Sequence, residues 1–218
     1  MRRTFLLSLA LVHVLTLASL TGCGSEEEAP PVASIKASEP TKTERPKLDH
    51  LHPVVQVRTT AGDIVLQLDA ENAPVTVHNF LAYANSGHYD GTVFHDVEKG
   101  FIVLGGGYDA GLAEKPTDLA IRNEAHNGLK NARGTVAMAR RPDVIDSSTS
   151  MFFFNAADNT ILNHKGDEAA DYGYCVFGKV IEGLDVVDKI AKTPTRQVDQ
   201  FERMPTERIA IQSIRRVR

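Results

Sequence analysis

The chain has 218 residues, of which 42% are apolar and 24% charged, with a formal net charge of −4. That length holds one ordinary domain plus extra segments, and the balance suits a water-soluble body with a real core. There is no basic surplus of the kind a nucleic-acid surface needs, so a nucleic-acid partner is not expected.

Residues 1–22 read as a signal peptide. Arg2 and Arg3 give a positive start, and Phe5 to Leu20 is apolar but broken by Ser8, His13 and Ser19. Such a run suits a signal core rather than a transmembrane span. Leu20-Thr21-Gly22-Cys23 closes it and resembles the bacterial lipobox. That resemblance implies a diacylglyceryl group on Cys23, which becomes the mature N-terminus. A lipid membrane is then a partner through Cys23, and the location is the bacterial cell envelope, facing the periplasm. Gly24 in place of Asp resembles an outer-membrane sorting pattern. Several acyl chains make a stable attachment, because each buried CH₂ contributes about 0.8 kcal/mol. The other cysteine, Cys175, lies in Tyr174-Cys175-Val176-Phe177 and reads as a small buried hydrophobe. With Cys23 lipidated, no disulfide forms within the chain.

Residues 23–52 read as the lipidated Cys and a disordered linker. The segment holds Glu26-Glu27-Glu28, then Pro30, Pro31, Pro40 and Pro46, with few apolar residues and no period. As a flexible coil its span is roughly 30 Å. Residues 53–218 read as one domain. Val54, Val55 and Val57 begin a strand, and Ile64, Leu66 and Leu68 alternate in the next. Ala61-Gly62-Asp63 supplies hairpin chemistry between them. Pro74 opens a helix in which Val77, Phe80, Leu81 and Ala84 share a face, and Gly87 stops it.

Short strands are expected at Thr92–Val97, Phe101–Leu104, Thr135–Ala139, Met151–Phe154 and Tyr174–Val180. A second helix is expected over about Leu184–Lys192, with a last strand from Arg208 to Val217. Many short strands and two helices predict a closed or nearly closed β-structure with its openings covered. Gly105-Gly106-Gly107 reads as a tight turn, because no Lys and no helix start follow it as a phosphate loop would need. His50, His52 and His78 lack metal-ligand spacing, so neither a metal nor another cofactor is expected.

Four segments carry chemistry together: Val93-Phe94-His95-Asp96-Val97, Gly100 to Gly107, Gly134 to Arg140, and Ser150-Met151-Phe152-Phe153-Phe154-Asn155. In order and spacing they resemble the cyclophilin family of peptidyl-prolyl isomerases, above all its bacterial periplasmic members. Asn123-Glu124-Ala125, Asn127-Gly128-Leu129, the Tyr174–Val180 run and Gly183-Leu184-Asp185-Val186-Val187 extend the match to about Val54–Val217. The resemblance implies a mainly β fold: a closed eight-stranded antiparallel barrel capped by two helices. It also implies a groove on one face that takes proline-containing segments, here those of exported proteins; a monomer is the default expectation.

The chemistry so implied is rotation about an X–Pro bond, whose partial double-bond character gives a barrier of about 18–20 kcal/mol. A catalyst needs an apolar grip on the ring, polar groups for the flanking carbonyls, and a donor for the prolyl nitrogen. Such a donor lowers the barrier because it binds only the twisted state. By resemblance, Phe101, Ile102, Phe153 and Leu162 line the apolar pocket, with Phe94, Ala139, Arg140 and Tyr174 beside it. Phe94 reads equally well as core.

The polar set departs from the family. Asp96 stands where the family has the Arg that donates to the prolyl nitrogen, and an ionised carboxylate cannot donate. Leu104 and Met151 stand where it has two Gln. His95 matches a family position and reads as a structural, hydrogen-bonded histidine. Arg140, Arg141 and Arg133 are the cations near the groove in sequence, and Arg140 is expected to touch peptide or solvent. Two readings stay open: a cell-envelope isomerase with weakened catalysis, and a module or chaperone that holds proline segments without turning them over. A structural envelope protein with a vestigial groove is a third.

Overall fold

A computed structural model describes residues 49–218. The expected signal peptide, the lipidation at Cys23 and most of the linker lie outside the described residues. Among the described residues, contacts reach back past Pro53: the Asp49 carboxylate accepts the backbone N–H groups of Leu51 and His52 at 2.9 and 3.0 Å. The Leu51 carbonyl in turn accepts the Ala70 N–H at 2.8 Å.

Eight strands close an antiparallel barrel in the order β1-β10-β3-β4-β6-β5-β7-β2. They are β1 (Val54–Thr59), β2 (Gly62–Leu68), β3 (Thr92–Val97), β4 (Ile102–Asp109), β5 (Thr135–Met138), β6 (Phe152–Asn155), β7 (Val176–Glu182) and β10 (Ala210–Arg216). The helices are α1 (Pro74–Asn85) and α2 (Leu184–Ala191). This is the mainly β, eight-stranded, two-helix architecture expected from the sequence. A two-stranded hairpin, β8 (Thr195–Val198) with β9 (Phe201–Pro205), stands apart from the barrel sheet. The sequence reading had no place for it.

Strand alternation sorts the side chains, since successive residues face opposite sides. Phe152 and Phe154 of β6 point into the barrel and join Val136, Met138, Val103 and Phe177 in one buried core. Phe153, between them, belongs to a separate cluster on the outside. α1 adds Phe80 to the inner core, packed edge-on against Phe152 at 5.4 Å between ring centres. The first N–H groups of α1 have no side-chain cap from its own N-cap residue. Instead the Glu124 carboxylate accepts from Val75 N and Thr76 N, at 3.1 and 2.8 Å. A carboxylate at that end satisfies orphan donors and complements the helix dipole.

Gly105–Gly107 is not a turn but the middle of β4. A Cβ at Gly105 would stand 2.7 Å from the Phe94 ring, and one at Gly107 would stand 2.6 Å from Met151. Gly105 and Gly107 are required there by close approach of neighbouring side chains, and Gly106 by its φ of 89° within the strand.

Candidate active site

The outer-face cluster is built by strand register. Leu104 of β4 pairs with Phe153 of β6, Phe153 with Ala137 of β5, and Ala137 with Val176 of β7. Ala137, Phe153 and Val176 form the buried floor, and Ile102, Leu104, Leu129, Ala139, Leu162 and Tyr174 pack around it. Five of the expected pocket residues, Ile102, Ala139, Phe153, Leu162 and Tyr174, therefore come together. Tyr174 stands edge-on to Phe153, with ring centres 5.7 Å apart. Leu129, Ala137 and Val176 were not singled out as lining residues; alternation with the inner-core positions Val136, Met138 and Phe177 is the signal that identifies Ala137 and Val176, whereas Leu129 lies on a loop.

A buried asparagine network fixes the walls. Asn159 donates to the Phe101 carbonyl at 2.9 Å and to Asn155 Oδ1 at 2.7 Å. Asn155 donates to Asn131 Oδ1 at 3.1 Å, and Asn131 donates to the carbonyls of Leu162 and Tyr174 at 3.0 and 3.2 Å. The backbones of Phe101, Leu162 and Tyr174 are thus tied to one another, and buried polar groups with partners on all sides hold a unique geometry. Phe101 itself is half-buried at the entrance to β4.

Phe94 is a correction to the sequence reading. Its side chain is fully buried in the inner core, with its ring 6.1 Å from that of Phe154, so it does not line the groove. The register of β3 against β4 shifts between Phe94 and Asp96. Such a bulge sends two residues of nominally equal parity to opposite faces.

Arg140 is half-buried and lines a cavity with Leu104, Ala139 and Met151. Its guanidinium donates to the chain's own carbonyls: Gly173 and Pro142 at 2.9 Å each, Arg141 at 2.9 Å and Ala169 at 2.6 Å. It lies over the Tyr174 ring at 5.1 Å. Most of its donors are thereby occupied, and it clamps two loops behind Tyr174. Arg133 is paired with Asp188 at 2.6 Å.

Asp96 pairs in register with Leu104, so it begins the row that runs through Phe153 to Val176. Its two carboxylate oxygens accept Nε and Nη2 of Arg203 on β9 at 2.7 and 2.8 Å. Arg203 Nη1 also lies 3.4 Å from Glu98. Hydrogen bonding to Asp96 pushes the Arg203 pKa above the usual arginine value. Arg203 was not among the cations considered from the sequence, because it is 107 residues from Asp96.

His95 is 4% exposed. Its ring packs edge-on against Tyr108 at 4.7 Å and Phe201 at 5.5 Å. Burial pushes its pKa down to about 4, with the Val93 backbone and Asp96 opposing. It is neutral near pH 7, supports the hairpin and lines the cavity shared by Asp96, Met151 and Arg203. Its Nδ1 has no hydrogen-bond partner among the described residues. Met151 is half-buried and walls two adjoining cavities, one with Leu104 and Ala139, the other with Asp96 and Arg203.

Comparison with known proteins places these features in a family. Residues 54–216 match the family model described as cyclophilin type peptidyl-prolyl cis-trans isomerase/CLD. A peptidyl-prolyl cis-trans isomerase A of Dickeya dadantii is 48% identical over 159 residues, covering 73% of this chain and 82% of that protein. Peptidyl-prolyl cis-trans isomerase B of Escherichia coli is 45% identical over 161 residues, covering 74% and 98%. Among solved structures, a Cryptosporidium parvum cyclophilin-type isomerase solved in the presence of the dipeptide Ala-Pro superposes with a TM-score of 0.61. It is 27% identical, and the match covers 74% of this chain and 96% of that one. The fold, the outer-face groove and this likeness agree: the chain belongs to the cyclophilin-type peptidyl-prolyl cis-trans isomerase family.

Proposed function

We propose that this protein isomerises X–Pro bonds in flexible segments of exported proteins, from a lipid-tethered position on the periplasmic side of a bacterial envelope, and more slowly than its relatives. The observation that carries the isomerase reading is the registered row Leu104–Phe153–Ala137–Val176, the floor of an apolar cluster on the outer face of an otherwise filled barrel, rimmed by half-buried Ile102, Ala139, Leu162 and Tyr174. Burying a proline ring there contributes at most about 2–3 kcal/mol. Occupancy is therefore weak unless flanking contacts add to it, which suits transient action on many clients.

Slower turnover follows from Leu104 and Met151. The family resemblance implies side-chain amides at both positions, and neither a leucine nor a methionine can hold a substrate carbonyl. Loss of one preorganised donor costs about 10²–10³ in rate, and groups that act together lose less than the product. The envelope location rests on the sequence alone: Arg2 and Arg3, the apolar run to Leu20, and Cys23 at its end.

A protease-coupled assay with a proline-containing peptide tests the activity. The expected result is acceleration at least about tenfold below that of a cyclophilin-type relative carrying both amides. An equal rate would remove the case for weakened catalysis. No acceleration, with chemical-shift changes at Phe153 on peptide addition, would instead support the binding-module reading. Metabolic labelling with a fatty acid tests the tether: the natural chain should take label and Cys23→Ala should not.

A further inference from the structure

We propose that Arg203 supplies the guanidinium donor of the groove, projected from the β8–β9 hairpin and held over β3 by the Asp96 carboxylate. This inference rests on the isomerase reading above and names a residue that acts in it. The sequence places an acceptor at Asp96, where the resemblance implies a donor. The structure returns a donor to the same place from another strand. Asp96 has a short side chain, and a guanidinium bonded to both its oxygens at 2.7 and 2.8 Å stands beyond it. That is the zone an arginine rooted on β3 would itself occupy.

Position along the row supports the assignment. Neighbouring strands lie about 4.8 Å apart, so Phe153 is roughly 10 Å from Asp96 across β4. A cavity of about 300 Å³ is lined by Asp96, Arg203 and Met151, and Met151 is also a wall of the adjoining cavity with Leu104 and Ala139. A chain segment that crosses Met151 from the Leu104–Ala139 cavity thus comes to the guanidinium.

Chemistry supports it too. A guanidinium has five N–H donors and no acceptor. Two are taken by Asp96, and Nη1 leans toward Glu98 at 3.4 Å, which leaves N–H groups for an incoming ligand. As the prolyl amide twists, no bond forms or breaks; the nitrogen lone pair leaves conjugation and becomes able to accept. A donor fixed there meets that lone pair only in the twisted state. The two carboxylates temper the positive charge but hold the fork in place, and a held donor does not have to be ordered during the reaction.

The hairpin does not depend on the ion pair. Phe201 and Met204 pack with Val93 as a buried cluster on the outside of β3, and Tyr108 meets Phe201 edge-on at 4.9 Å. Replacing Arg203 should therefore leave β9 where it is.

The test is exchange spectroscopy on an Ala-Pro-containing peptide with the full chain, with peptide affinity taken from chemical-shift titration. Arg203→Ala should lower catalysed exchange about 10²-fold while affinity changes little. Arg203→Gln, which keeps a hydrogen bond to Asp96 without the charge, carries the same expectation and serves if the alanine variant does not fold. Arg215→Ala, which breaks the bidentate pair with Asp90 elsewhere on the surface, should leave exchange unchanged. Exchange at the natural rate in either Arg203 variant would overturn the assignment and leave the isomerase reading standing. A fall in affinity equal to the fall in rate would also overturn it, because it would mark a binding contact. A natural chain that catalyses no exchange would overturn both.

Discussion

Phe153, Ala137 and Val176 reach the groove because alternation puts every second side chain of β6, β5 and β7 outside the barrel. Arg203 reaches Asp96 from a strand pair that the barrel sheet does not include. The first region is a by-product of closure: the row cannot be moved without sliding strands that also hold Phe152 and Phe154 inside. The second is an attachment, held by Phe201, Met204 and Val93 in a cluster of its own. The contrast suggests a division of labour. The grip on proline is tied to the stability of the fold, whereas the polar chemistry beside it can be exchanged between strands while the barrel stays intact.

The contrast can be broken most forcefully at Phe153. It is 2% exposed on the outer face, so Phe153→Ala should cost about 3–5 kcal/mol of stability and abolish peptide-induced shifts in the groove. Denaturant unfolding and titration read both. A stable variant that still binds would mean that the grip is not part of the scaffold.

The hairpin side can be probed with pH through His95. Its pKa is about 4 in the folded protein, below the ordinary value of about 6.5 expected once unfolded. The unfolded chain therefore binds more protons between those values. Stability should fall as pH drops below about 6.5, by about 2 kcal/mol at pH 5, with the loss complete near pH 4. His95→Phe should flatten that part of the profile in urea unfolding at pH 7 and 5. An unchanged profile would show that His95 is not buried in neutral form against Tyr108 and Phe201.

A smaller effect is expected where the two regions meet. Leu104→Gln with Met151→Gln should raise catalysed exchange about tenfold, equivalent to about 1.4 kcal/mol of transition-state stabilisation. No rise in the peptide assay would mean that lost amides are not what slows this chain.

The barrel was legible because its signals are local. Alternating Ile64, Leu66 and Leu68, Pro74 at a helix start and the Phe152–Phe154 run each state an element and a face. The pocket residues came from the family resemblance, and strand alternation explains why they share a face. What could not be read were features set by contact at a distance. Gly105–Gly107 resembles a turn in isolation, and it is pairing of β4 with β3 and β6 that makes it part of a strand. Phe94 and Asp96 share parity in the sequence, and only a bulge separates them. β8 is almost wholly exposed and so carries no burial alternation. Its turn has no glycine; Asp199 itself takes a φ of 50°. With the hairpin unread, Arg203 had no address, and the cations adjacent in sequence were weighed in its place.

The central claim, that a guanidinium at this point in the groove matters more than the strand it comes from, is tested most directly by a reciprocal exchange. The double variant Asp96→Arg with Arg203→Asp keeps the ion pair and moves the guanidinium onto β3. Prolyl exchange in that variant should run at or above the rate of the natural chain. A rate as low as that of Arg203→Ala, in a variant that unfolds at the same denaturant concentration as the natural protein, would contradict the account.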